Sequence, residues 1–504
     1  MQNNTVLPLE EIIADLKRGR ELGIKRVILS GGEPTAHPQY IEIVAMAKKL
    51  GYRRIQTVTN GRMFAYEDFL EKAISAGLDE TTFSIHGHNA NLHDALTRVK
   101  GSFNQTVLGL RNALGSQKLI VNIDIVINKK NVRYIHDIIC FFVNMGVHEF
   151  DLLQITPFGD AWLNRGDVLY DPSTALRHLN PAFKLARGEN LFIWTNRFPP
   201  QFLIPFPELI QNPYKLHDEV RGRAEMFSEF ISHSRRMRCW GKQCDFCFMK
   251  NYCFELVRVR KLLRNGGIRS VMVSNRTAQK LSAFTRHGSR LVNVYFKGGK
   301  CQEFVEASRH FKNASAVTVD LLIPPSLKNW KTAAGMFPSV CIVVRSDFSP
   351  SLVEYAVHNS VRLQVILNRK SRNNIKKYVV SDKNLICSDH LIFKQENYLS
   401  LEETFKYSIG GDENLFAFLS QYRLINVPPC IIHGRSNSYE DYIDIDMYDK
   451  KRLIDMKIFT DYFIGSVYYV KSQLCGECDA NKTCRGVHVN YLRAFGVQPK
   501  PLGN

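Results

Sequence analysis

Seven of the twelve cysteines in this 504-residue chain fall in two tight groups, and their spacing is that of metal ligands. The first group is Cys239-x4-Cys244-x2-Cys247-x5-Cys253, and the second is Cys475-x2-Cys478-x5-Cys484. Thiolates are soft ligands for iron or zinc, and a C-x2-C step lets one tight turn aim two sulfurs at one centre. Four thiolates can hold a four-iron four-sulfur cluster or one structural zinc, and spacing alone leaves both open. The two groups share C-x2-C-x5-C, and the likeness extends upstream. Glu189-Asn190-Leu191-Phe192 recurs as Glu413-Asn414-Leu415-Phe416, and Pro199-Pro200-Gln201 matches Pro428-Pro429-Cys430. An internal duplication of a cysteine-bearing tail follows. It makes Cys430 the fourth ligand beside Cys475, Cys478 and Cys484, while Cys239 completes the first set because Gln201 stands at the matching position. Cys140, Cys301, Cys341 and Cys387 are isolated and are read as structural.

A second feature able to do chemistry lies at Val27-Ile28-Leu29-Ser30-Gly31-Gly32-Glu33-Pro34. The apolar run suits a strand buried on both faces, as in a parallel sheet. Adjacent glycines let a ligand approach the backbone, Glu33 adds a negative charge, and Pro34 sets the chain direction. Further strands are expected at Ile55–Thr59, Thr81–Ile85, Leu119–Ile127 and Leu152–Thr156. They end in Asn60-Gly61, His86-Gly87-His88 and Pro157-Phe158-Gly159, among other loops. Helical stretches at Leu9–Leu22, Tyr40–Leu50, Glu67–Ala76 and Val132–Met145 flank or separate them. Strand and helix alternating at this pitch predict parallel βα units, which place ligand loops on one rim at the strand C-termini.

Over roughly residues 8–160 the chain resembles the radical SAM enzyme family. The resemblance rests on Ser30-Gly31-Gly32-Glu33-Pro34, Thr59-Asn60-Gly61, Phe83-Ser84-Ile85-His86-Gly87, and His93-Asp94 through Arg98 to Gly101-Ser102-Phe103. It implies an α/β fold, a partial (βα) TIM-type barrel lacking its first strand, that binds S-adenosylmethionine across the strand ends. Gly31, Gly32, Glu33 and Pro34 would form the loop at the methionine amino group, with Asn60 and Ser84 near the ribose. The family's catalytic four-iron cluster is held by a CxxxCxxC loop ahead of the Gly-Gly-Glu-Pro strand, and this chain has no cysteine before Cys140. Two explanations compete: a sequence that starts late, or a loss of the radical chemistry. The late start is preferred, and the chain as written is expected not to cleave S-adenosylmethionine. The cysteine tails resemble the SPASM/twitch extensions of the same family, which hold auxiliary iron–sulfur clusters and often accompany peptide modification.

The length calls for about three domains. Residues 1–170 are read as the partial barrel and 171–255 as the first cysteine-rich segment. Residues 256–420 are read as a second α/β domain, with a degenerate barrel repeat as one reading of it, and 421–504 as the C-terminal iron–sulfur segment. The second domain's strands are expected at Ile268–Ser274, Leu291–Tyr295, Val317–Leu322, Val340–Val344 and Leu363–Leu367, with a helix at Pro350–Val357. It has no Gly-Gly-Glu-Pro, so no second S-adenosylmethionine site is expected.

Hydrophobic residues make up 45% of the chain, and no apolar run approaches a membrane span. A cytoplasmic protein with cysteines used for metal is the default. The net charge of +19 is dispersed, so a nucleic-acid partner is permitted without being favoured. The leading reading is a radical SAM enzyme with two auxiliary clusters, an external electron donor and a peptide or protein substrate. The alternatives are a non-catalytic iron–sulfur or zinc protein derived from the fold, and a radical SAM enzyme acting on RNA. No general acid or base is assigned, although His37, His86 and His88 fall near the rim.

Overall fold

The computed structural model describes residues 6–233, 235–264, 268–281, 291–321, 335–346, 348–380, 389–432, 437–449, 451–497, 499 and 502. Leu322 and Cys387 lie outside them. The chain divides into two compact units, Met1–Pro199 and Pro200–Asn504.

The first unit is built on six parallel strands in chain order: β1 (Arg26–Leu29), β2 (Arg54–Thr59), β3 (Glu80–Ser84), β4 (Ile120–Ile127), β5 (Glu149–Gln154) and β6 (Phe192–Asn196). Helices α1 (Leu9–Glu21), α2 (Tyr40–Lys49), α3 (Glu67–Ala76), α4 (Ala90–Thr97), α5 (Ser102–Gly115) and α6 (Ile135–Val143) precede or connect them. Strands added in chain order through helical crossovers make a partial (βα) barrel. Each strand alternates in character. Ile55, Phe83, Ile123, Ile125, Ile127, Phe150 and Leu152 are fully buried, as are Val44, Ala47, Ala73, Leu110, Ile138 and Phe142 on the helices. The other strand face is polar, and carries Gln56, Thr82, Asn122, Asp124 and Asp151.

β1 does not have the burial its apolar run predicts. It is the edge strand, paired only with β2 among the described strands, and Ile28 is 51% exposed. Only the face carrying Val27 and Leu29 is even half-buried, so the run reads as an edge strand and not as an interior one.

The second unit repeats the parallel plan with nine strands. β7 (Ser270–Val273), β8 (Asn293–Lys297), β9 (Ala316–Asp320), β10 (Val340–Val344), β11 (Arg362–Leu367), β12 (Leu391–Gln395), β13 (Arg423–Ile425) and β14 (Asn437–Ser438) follow one another across the sheet. β15 (Ile443–Asp444) adds beside β7 at the opposite edge. Only residues 439–442 join β14 to β15, and five residue steps span at most about 18 Å. The two edges of the sheet therefore come within that distance, and the sheet curls into a nearly closed barrel. Fully buried Val271, Val294, Val319, Leu363, Val365 and Phe393 form its core with surrounding helices.

The proposed duplication is visible in some places and not in others. Glu189–Phe192 leads directly into β6, whereas Glu413–Phe416 opens a helix, Glu413–Leu419, so that part of the match is not a shared conformation. Four residues of polar and apolar type carry too little propensity to fix helix or strand, and the tertiary setting decides. The Pro-Pro register is shared. Pro199 and Pro428 each lie three residues beyond a strand end, and the residue just after each strand, Arg197 or Asn426, has a left-handed backbone (φ 62° and 63°).

Candidate functional site

The rim of the first barrel is assembled by the Gly-Gly-Glu-Pro loop and its neighbours. Gly31 has φ +130°, a conformation that L side chains rarely adopt, and the space beside Gly31 and Gly32 is open. The Glu33 carboxylate accepts hydrogen bonds from Thr35 N (3.1 Å), Thr35 Oγ1 (2.6 Å), Thr59 Oγ1 (2.6 Å) and Asn60 N (2.7 Å). It thus caps the short helix begun by Pro34 and ties that loop to the end of β2. Asn60 Oδ1 accepts from Arg62 N (2.9 Å), closing a turn. Gly61 is sterically required, since a Cβ there would stand 2.3 Å from the Phe83 ring. The motif His93-Asp94 to Phe103 is explained in the same way. Asp94 accepts from Gly101 N (2.6 Å), Ser102 Oγ (2.9 Å) and Phe103 N (2.8 Å), pinning the start of α5. Burial opposes its ionisation, yet these donors hold its pKa below the ordinary value.

Ser84 ends β3, half-buried, in register with Asp124 on β4, which in turn is in register with Asp151 on β5. Register partners on adjacent strands point to one face, so these three side chains line the lumen at the end where the loops converge. Burial and the neighbouring Asp151 carboxylate push the Asp124 carboxyl up to about 7. Deeper in the lumen Arg26 donates to Gln56 (2.7 Å) and Glu80 (2.8 Å), and Asn122 also donates to Glu80 (3.1 Å). Sequence reasoning passed over the Asp124–Asp151 pair. Its signal was present as strict alternation, Asn122 and Asp124 between Val121, Ile123 and Ile125, and Asp151 between Phe150 and Leu152.

The three rim histidines differ. His37 is occupied in holding its loop, through Leu7 O (3.1 Å) and Gln39 N (3.0 Å). His86 is buried beside His93, which drives its pKa down to about 4. Nδ1 of His86 and of His88 are buried without a hydrogen-bond partner among the described residues.

Both C-x2-C steps adopt one local fold. Cys244 and Cys475 are each the third residue of a five-residue 3-10 turn, Lys242–Phe246 and Gln473–Glu477. In each, the second cysteine leaves the turn in extended conformation, with Cys247 N bonded to Cys244 O and Cys478 N to Cys475 O. Cys430, Cys475, Cys478 and Cys484 line one small cavity walled by Pro428 and Pro429. Cys430 and its three companions are therefore brought together across 45 residues of sequence. Donors reach three of the sulfurs: Leu502 N to Cys478 (3.3 Å), Gly486 N to Cys484 (3.2 Å), with Tyr439 Oη 3.3 Å from Cys484 and Ser472 Oγ 3.4 Å from Cys475. In the other set, burial and then the closeness of neighbouring cysteines raise the thiol pKa values of Cys239, Cys247 and Cys253, that of Cys247 to about 11. Arg223 acts the other way on Cys239, Cys247 and Cys253. Four crowded thiols ionise together only when a cation takes up their charge, so this donor set fits a metal cluster. Among the described residues no three His, Cys, Asp or Glu groups converge on a position for one metal ion. Cys140 and Cys301 are half-buried and Cys341 buried, apart from both sets. No helix among the described residues is long and apolar enough to cross a membrane.

Comparison with known proteins agrees with the rim. The Radical SAM superfamily model matches residues 2–141. A probable GTP 3',8-cyclase of Saccharolobus solfataricus is 28% identical over 214 residues, 42% of this chain and 67% of that protein. One from Saccharolobus islandicus is 32% identical over 157 residues, 31% of this chain. The chain spans about half the length of the latter. Among solved structures, Streptococcus suis SuiB bound to S-adenosylmethionine aligns with a TM-score of 0.33 and 18% identity, covering 41% of this chain and 46% of that one. anSMEcpe with bound AdoMet and a peptide aligns at 0.31 and 15%, covering 38% and 56%. Residues 2–141, which include the Gly31-Gly32-Glu33 loop and strands β1 to β4, thus match the radical SAM domain.

Proposed function

We propose that this protein is a radical SAM enzyme that binds S-adenosylmethionine on the rim of the first barrel, holds two auxiliary four-iron four-sulfur clusters and modifies a peptide or protein. The observation that carries the cofactor reading is the open glycine pair Gly31-Gly32, held in place by Glu33 through Thr35, Thr59 and Asn60. Pro34, Asn60 and Ser84 complete the loop and strand ends around it. S-adenosylmethionine would supply a radical able to abstract hydrogen from an unactivated carbon where a reduced cluster stands beside it, and residues 1–504, with no cysteine before Cys140, include no CxxxCxxC to hold that cluster. The protein's share is to orient the substrate in the lumen and exclude water. Asp124, protonated to about neutral pH, is placed to exchange a proton there.

The clusters are assigned to Cys239, Cys244, Cys247 and Cys253, and to Cys430, Cys475, Cys478 and Cys484. Sulfurs arranged round a cavity suit a cluster better than a lone zinc, whose bonds of about 2.3 Å draw four sulfurs onto one point. Hydrogen bonds onto the sulfurs are the usual means of setting a cluster's potential. The peptide substrate rests on the resemblance of the tails. A nucleotide substrate is the second reading, favoured by the relatives described as probable GTP cyclases.

Anaerobic reconstitution of the chain with iron and sulfide should give about eight irons. Cys475→Ala with Cys478→Ala should remove half, and Gly32→Val should weaken S-adenosylmethionine binding about tenfold by filling its space. Stoichiometric zinc without iron–sulfur absorbance would overturn the clusters, and unchanged cofactor affinity in Gly32→Val would remove the rim site.

A further inference from the structure

The lumen of the second barrel has no role in this reading, yet it is built as a site. A cavity of about 390 Å³ opens at the C-terminal ends of its parallel strands, the face on which (βα) barrels carry their ligands. Lys297 and Asp320 are the last residues of β8 and β9, Arg345 and Glu396 directly follow β10 and β12, and Glu440 lies on the segment that joins the two sheet edges.

Within this rim two of the three cations, Arg345 and Lys394, are already matched. Arg345 pairs with Asp320 and with Glu396, each at 2.8 Å. Lys394, 9% exposed, pairs with Glu440, and its ammonium stands 5.2 Å from the centre of the Tyr295 ring. The barrel thus holds one ammonium in a cage of a carboxylate and an aromatic face. The same materials recur in the rest of the cavity with fewer cations, Lys297 alone among the lining residues. Six carboxylates line the cavity against three lysine and arginine side chains. Among the described residues Glu403 and Asp444 form no ion pair with lysine or arginine: Glu403 caps a helix through Ser400 (3.2 Å), Asp444 accepts from Asp446 N (2.9 Å) with Lys297 and Lys280 in its surroundings, and Asp461 pairs with His217 (2.9 Å). Tyr398, Tyr442 and Tyr462 stand beside them. In a chain of net charge +19, a cavity with an excess of carboxylates runs against the whole molecule.

We propose that the second barrel binds an organic cation, an ammonium or guanidinium group, at the carboxylate- and tyrosine-lined mouth of this cavity. The cation is carried either by a peptide side chain or by a free polyamine, and both present the same group to Glu396, Glu403 and Asp444. This inference does not depend on the cofactor reading of the first barrel, and it is tested without it.

The experiment is calorimetry on the full chain at physiological ionic strength with four probes: Gly-Lys-Gly, spermidine, Gly-norleucine-Gly and Gly-Glu-Gly. The lysine peptide or spermidine should bind, and which is tighter identifies the source. The neutral and acidic peptides should not bind. Glu396→Gln should weaken the cationic probe about fivefold, and Lys297→Gln, at the exposed rim, should tighten it about twofold. Melting curves establish that each variant is folded. Lys297 forms no ion pair among the described residues, so its replacement breaks none and decides the matter even if Glu396→Gln destabilises the barrel. Absence of binding by both cationic probes at millimolar concentration would overturn the proposal. So would equal binding of the neutral peptide, or an affinity indifferent to Lys297→Gln.

Discussion

The two barrels share a topology and differ in what they place at the strand ends. Both run parallel strands in chain order with helices between. In the first, the rim is opened by Gly31 and Gly32, and the lumen brings Asp124 and Asp151 side by side, so that one carboxyl keeps its proton to about neutral pH. In the second, Arg345 and Lys394 answer Asp320, Glu396 and Glu440, so these three carboxylates are offset by ion pairs instead of by protons. One scaffold can therefore carry either a hollow for a cofactor or a charged cage, because loop and end residues vary while the strand and helix faces that pack the core do not. Four substitutions probe that contrast.

The largest effect is expected in the second barrel. Glu440→Gln leaves the Lys394 ammonium buried without its carboxylate, which costs about 3–5 kcal/mol of stability. Adding Lys394→Met should recover most of that loss, since a neutral pair has no charge to desolvate. Denaturant unfolding measures both. A loss below about 1 kcal/mol would show the pair to be as weak as a solvated one, and the contrast with the first barrel would fail.

The first barrel should respond to pH instead. Folded Asp124 holds its proton up to about pH 7, whereas the unfolded chain releases it near 3.8. The folded state binds more protons through that window, so this group's contribution to stability falls as pH rises from about 4 to about 7. Asp124→Asn should flatten that part of the stability profile and stabilise the protein above neutrality by roughly 2–4 kcal/mol. His86, held neutral by burial, has the opposite sign: its contribution is lost as pH falls from about 6.5 towards 4. A profile unchanged in Asp124→Asn would mean that the two carboxylates are separated by solvent.

What could be read in the sequence tracks how local the cause is. The strands β2 to β5 and the helices α2, α3 and α6 follow from alternation and apolar spacing, and their observed bounds differ from expectation by a few residues, whereas α4 and α5 are not among the expected helices. The C-x2-C turns are local, and Cys430 was found because Pro428-Pro429 repeats Pro199-Pro200. β1 was misjudged because three apolar residues describe a strand's composition and not its number of neighbours. β14 and β15 have two residues each, too few for any periodicity, yet they bring together the two edges of the second sheet. The second lumen was illegible for the same reason: Asp320, Arg345, Glu396 and Glu440 lie 20 or more residues apart and meet only through curvature.

The smallest effect concerns Glu33, and it separates two roles that the motif alone confounds. As a family resemblance, Glu33 belongs with the methionine amino group. In the structure its carboxylate is taken up by Thr35, Thr59 and Asn60 through four hydrogen bonds, which makes it the clamp between the ligand loop and β2. Glu33→Gln keeps one acceptor oxygen but turns the other into an amide donor. Facing Thr35 and Thr59, that amide meets a backbone N–H donor and two hydroxyls free to turn; facing Asn60, it meets a backbone N–H that cannot turn. Losing charge-assisted bonds of this kind costs about 1.5–3 kcal/mol, and the loop around Gly31 should loosen with it. The check is thermal unfolding together with hydrogen exchange at Asn60 and Thr35. A clamp predicts faster exchange at both amides and lower stability in the absence of any ligand. A group serving the ligand alone predicts an unchanged apoprotein and a defect confined to cofactor affinity, and that result would return Glu33 from the loop to the binding site.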